Sequence, residues 1–96
     1  MTTSEGPSVR YRRAAAVEAA PMQQETILYN PAVNKFCLLN PSAAVVWNGL
    51  ETPADTTTLA ASVCLAFDGV SHQQAMHDVG AALEEFLSLA LVEVAP

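Results

Sequence analysis

Residues 25–50 read ETILYNPAVNKFCLLNPSAAVVWNGL and hold two strands, a turn and a helix start in unbroken succession. Thr26-Ile27-Leu28-Tyr29 is β-branched and aromatic, the composition of a strand. Asn30-Pro31-Ala32-Val33-Asn34 carries turn chemistry, because proline fixes φ and asparagine tolerates left-handed geometry. Lys35 to Leu39 then reads as a second strand, so the pair forms a hairpin. Alternation puts Phe36 and Leu38 on one face and Lys35, Cys37 and Leu39 on the other. Both faces are largely apolar, which calls for cover on each side or for a partner. Asn40-Pro41 follows as an N-cap with proline at the first helical position. Ala43, Val46, Trp47 and Leu50, at spacings of i, i+3, i+4 and i+7, form one apolar stripe.

Downstream, a second helix is predicted from Thr56 or Thr57, with Leu59, Val63 and Phe67 inward and Asp68-Gly69 as its stop. Ser71 and Gln74 have capping-box spacing and open a third helix. Its expected core stripe is Met76, Val79, Leu83, Phe86, Leu87 and Ala90. Leu91 to Val94 reads as a short extended tail. Upstream, Val9 to Arg13 suggests a first strand, while Ala14 to Gln24 lacks an apolar stripe and holds Pro21, so a linker is expected. Residues 1–7 read as a disordered tail and residues 8–94 as one domain. The order predicts an α+β, winged-helix-like fold: a small antiparallel sheet of about three strands followed by three helices.

Composition narrows the function classes. The 96 residues carry four Lys and Arg against ten Asp and Glu, for a net charge of −6. Nine of the ten acids but only one base, Lys35, lie from Ala14 onward. Such a surface repels phosphate backbones. The third helix contains no Lys or Arg with which to read bases, so a DNA-binding winged helix is disfavoured and no nucleic-acid partner is expected. No run approaches the ~18 apolar residues of a membrane span. Arg12-Arg13 and the alanines after them make too short and broken a stretch for an export signal, and a cytoplasmic protein is expected.

Catalytic chemistry is not visible. His72 and His77 are five residues apart, about 140° around a helix, and cannot pinch one metal ion. Glu84 and Glu85 diverge by about 100° and suit a solvated face. Cys37 and Cys64 match no zinc or redox spacing. No catalytic residue, metal or cofactor is expected. A second stripe of the third helix, with Ala75, Asp78, Ala82, Glu85 and Leu89, is small or apolar and edged by carboxylates. It reads either as the shoulder of a buried helix or as one wall of a groove. Strand 35–39, if a sheet edge, supplies the other wall, and an extended peptide adds to it.

Three segments in order carry a family resemblance: Ile27-Leu28-Tyr29-Asn30-Pro31, Phe36-Cys37-Leu38-Leu39-Asn40-Pro41-Ser42-Ala43 and Trp47-Asn48-Gly49-Leu50. It continues through Thr58-Leu59-Ala60, Asp78-Val79, Leu83, Phe86-Leu87 and Leu91-Val92-Glu93. The chain resembles the PqqD-like family over roughly residues 8–93. That resemblance implies a non-catalytic chaperone that binds the leader of a ribosomally made precursor peptide between the third strand and third helix. It further implies presentation of the leader to a modifying enzyme, such as a radical-SAM protein, leader peptidase or cyclase. Carried over, the strand wall is Lys35, Phe36, Cys37, Leu38 and Leu39, and the helix wall includes Asp78, with Ala82 and Glu85 added from the flank. Three positions depart from the pattern: Ala90 replaces a Gly that often ends the third helix, Ala82 replaces a bulky residue, and the Val17–Glu25 connection is long. The alternative reading is a homodimeric interaction or regulatory module pairing through the same edge strand.

Overall fold

A computed structural model describes residues 9–22 and 25–96. The expected tail, residues 1–7, lies outside the described residues. The first strand, β1, spans Arg10–Arg13, followed by β2 at Glu18–Met22, β3 at Glu25–Asn30 and β4 at Lys35–Leu39. Helix α1 covers Pro41–Gly49, β5 is Ala54–Asp55, α2 is Thr56–Ala66, α3 is His72–Ser88 and β6 is Val92–Val94. The expected α+β class holds, with three helices and antiparallel pairing throughout.

The strands form two three-stranded sheets, β5-β1-β6 and β2-β3-β4, rather than one. The second sheet contains a correction: residues 18–22, expected as linker, pair along β3 from Glu18↔Tyr29 to Met22↔Glu25. Pro21 is compatible because β2 is an edge strand, where a missing N–H can face away from the ladder. The first sheet gathers β5 and β6, the expected extended tail, onto β1. Arg12 on β1 and Glu93 on β6 form an ion pair at 2.6 Å with both side chains about half exposed. Screening leaves such a pair worth little.

The β3–β4 hairpin forms as read. Its register runs from Thr26↔Leu39 to Asn30↔Lys35. Asn30 Oδ1 accepts from the Ala32 amide at 2.9 Å, and Asn34 takes a left-handed φ of 54°. Leu28, Cys37 and Leu39 point into the core. On the opposite face Tyr29 stacks on Phe36 with centroids 4.5 Å apart.

Each helix starts on a side-chain cap. Asn40 Oδ1 accepts from the Ala43 amide at 2.8 Å, Asp55 Oδ1 from Thr58 at 2.8 Å, and Ser71 Oγ from Gln74 at 3.0 Å. The Gln74 side chain does not complete a capping box; its Nε2 donates to Asp78 Oδ1 at 2.8 Å. The α1 stripe Ala43, Val46, Trp47 and Leu50 is buried as expected, and so are Leu59 and Val63 of α2, with Phe67 partly buried. Trp47 meets Phe86 of α3 edge-on at 6.0 Å.

On α3 the buried residues are Ala75, Val79, Ala82, Leu83 and Phe86. The arc is rotated by about 50° from the expected stripe. Leu87 is exposed, Met76 and Ala90 are only partly buried, and Ala75 and Ala82 of the flank are inside. The reason is that α3 packs against both α1 and α2, which covers the flank as well. For Ala75 the shoulder reading is correct.

The exit from α3 is a Schellman motif. The Leu91 amide donates to the Phe86 carbonyl at 2.8 Å and the Ala90 amide to Leu87 at 3.1 Å. Ala90 sits at the left-handed position, φ 58°, that this motif usually gives to glycine. The alanine departure therefore leaves the exit geometry in place.

Candidate functional site

The order β2-β3-β4 makes β4 the edge of its sheet. Among the described residues nothing pairs with its outer side, so alternate backbone amides and carbonyls remain open for another strand. At the end of that strand, from Asn40 onward, lies a groove of about 210 Å³ lined by Asn40, Ser42, Ala43, His77, Asp78, Ala81, Ala82 and Glu85. The start of α1 makes one wall and the middle of α3 the other. A second depression, about 450 Å³, adjoins it around Asn40 and is lined by Glu25, Thr26, Leu38, Leu39, Asn40, Pro41 and Ala44.

The structure brings Asp78, Ala82 and Glu85 together on one groove. Ala82 is buried at its floor, Asp78 is half-buried and Glu85 exposed. The strand residues divide. Cys37 and Leu39 face inward and are buried, whereas Phe36 and Leu38 are 62% and 58% exposed on the outer face. Lys35 is exposed at the turn end. None of Lys35, Phe36, Cys37, Leu38 and Leu39 is among the lining residues of the groove; what β4 offers beside it is an open backbone edge.

Electrostatics links β4 to α3. Burial pushes the Cys37 thiol above its ordinary value, and the negative charge of Glu85 adds to the rise. Cys37 therefore stays a neutral thiol and is a poor nucleophile. Its sulfur makes only a long contact, 3.9 Å, to the Leu38 carbonyl. Both cysteines are free. Asp78 accepts the Gln74 amide, and among the described residues neither Asp78 nor Glu85 forms an ion pair.

Asn40, Ser42, Ala43, His77 and Ala81 escaped the sequence reading. His77 is the sequence neighbour of Asp78 and is exposed. In sequence Asn40 reads as a cap and Ala43 as core, and the place of the α1 residues at the groove depends on how α1 crosses α3. Among the described residues no group of three or more His, Cys, Asp or Glu could hold a metal ion. No helix of the described residues is long and apolar enough to cross a membrane.

Comparison with known proteins adds two findings. The family model for coenzyme PQQ synthesis protein D (PqqD) matches residues 25–92, from β3 through the start of β6. A solved structure, TbiB1 in complex with the TbiA(beta) leader peptide, superposes with a TM-score of 0.75 at 18% identity, covering 85% of this chain and 94% of that one. At that identity the likeness is one of fold. The curated proteins offer no sequence match.

Proposed function

The chain belongs to the PqqD family, and from that premise we propose that it is a non-catalytic recognition element for the leader of a ribosomally synthesised precursor peptide. The leader adds as a strand to the β4 edge and lies against α3. The observation that carries this reading is the unpaired edge of β4, whose following residue, Asn40, lines a groove together with Asp78, Ala82 and Glu85. A peptide held there satisfies its own backbone on the strand while its alternate side chains meet the groove. The PqqD model and the leader-bound TbiB1 structure support the same reading.

The bound leader is presented to a modifying enzyme, a radical-SAM protein, peptidase or cyclase. The neutral Cys37 and the dispersed histidines supply no reaction of their own, which favours delivery over chemistry. Exposed Phe36 and Leu38 beside an open edge also favour pairing of two copies through β4, and peptide and second copy would then compete for one strand.

Calorimetric titration with the leader encoded beside this gene tests the proposal. Saturable one-to-one binding at micromolar concentration or tighter is expected. No heat at tens of micromolar from a sample that is folded by circular dichroism contradicts it.

A further inference from the structure

Strand addition fixes which way each incoming side chain points. Residues paired across a sheet share a face, and neighbours along a strand take opposite faces. Cys37 points inward, so the peptide residue paired with it enters on the α3 side. The residues before and after it, paired with Phe36 and Leu38, emerge on the outer face. This parity holds for either strand direction.

The two faces offer different chemistry. Inward, Ala43 and Ala82 leave a small-residue floor, and Asp78 and Glu85 stand at the rim without an ion-pair partner among the described residues. The charge of Glu85 reaches β4 itself, since it helps keep the Cys37 thiol protonated. An incoming carboxylate would meet two like charges. A lysine or arginine instead lays its methylene stem over the alanines and carries its cation to the rim. Outward, Phe36 and Leu38 present exposed apolar surface, and the depression beside Leu38 includes Pro41 and Ala44.

We infer that the bound segment of the leader reads apolar–cationic–apolar, its lysine or arginine opposite Cys37 between Asp78 and Glu85, its apolar neighbours over Phe36 and Leu38. This deepens, and rests on, the strand-addition reading above.

Fluorescence polarisation with the labelled leader encoded beside this gene tests it, each leader residue being replaced in turn by Lys, Gln, Glu, Leu and Ser. One position should bind Lys about three- to ten-fold more tightly than Gln, with Glu weaker still. The positions on either side should prefer Leu to Ser. The Lys preference should shrink as salt rises and vanish in the Asp78→Asn/Glu85→Gln double variant. Binding that is indifferent to Lys, Gln and Glu at every position overturns the inference and leaves leader binding intact. A Lys preference that survives the double variant also overturns it. No binding by any peptide overturns both, and circular dichroism of the variants separates these outcomes from misfolding.

Discussion

The side-chain amide of Asn30 donates to the carbonyl oxygen of Ala90 at 2.6 Å, joining the hairpin turn to the exit of α3. Asn30 is buried, and its Oδ1 accepts from the Ala32 amide. One side chain thus shapes the turn before β4 and holds that turn to the end of the helix across the groove. Asn30→Ala leaves a buried carbonyl and an amide without partners, costing about 1–3 kcal/mol. Thermal unfolding should shift down by roughly 5–15 °C at this chain length. An unchanged melting temperature would mean that the contact does not hold the two elements together.

Ala90 occupies a left-handed conformation, φ 58°, at the C′ position of a Schellman motif. A Cβ there costs on the order of 1 kcal/mol, partly offset by the greater unfolded-state entropy of glycine. Ala90→Gly should therefore stabilise by about 0.5–1 kcal/mol, read as a higher urea midpoint at constant slope. Leader affinity should not move, because Ala90 lies outside the groove lining.

Adjacent residues of β4 aim their amides to opposite sides of the strand, one toward β3 and one toward the open edge. Proline at Leu38 and at Cys37 therefore removes a ladder bond in one variant and a free-edge donor in the other. The edge variant should stay folded and lose leader affinity by at least about ten-fold, since proline both withholds the donor and crowds the incoming strand. Wild-type affinity in that folded variant would exclude addition along β4.

The thiol of Cys37 is held neutral first by burial and then by Glu85. Its reaction with a disulfide reagent near pH 8 should be slower than that of Cys64, which is less buried. Glu85→Gln should speed Cys37 modestly by removing the nearby negative charge. The linkage has a definite sign: the raised folded value means that this contribution to stability is complete below pH 9.0, the ordinary thiol value. It is lost as pH climbs through the folded value. Cys37→Ser should flatten that alkaline decline.

Local chemistry made much of this molecule legible. Asn30 and Asn34 mark the hairpin turn, Asn40-Pro41 starts α1 and Ser71 caps α3, because each acts on backbone within a few residues of itself. What escaped depends on distant partners. Residues 18–22 become a strand by pairing with β3, which their alanines and Pro21 do not announce. Nothing near Arg13 in the sequence announces its partner: its guanidinium lies 4.4 Å from the Trp47 ring centroid and donates to the Trp47 carbonyl at 2.7 Å. The rotation of the α3 core arc follows from contact with α1 and α2 together. Helical spacing alone groups Asp78, Ala82 and Glu85, whereas Ser42 and Ala43 reach the groove only through packing.

The most direct measurement is a set of cross-strand nuclear Overhauser effects between labelled protein and unlabelled leader. A ladder of backbone contacts from the leader to Lys35–Leu39 is expected, with one leader side chain between Cys37 and Glu85. Contacts confined to the β5-β1-β6 sheet or to α2, with β4 unperturbed, would contradict it.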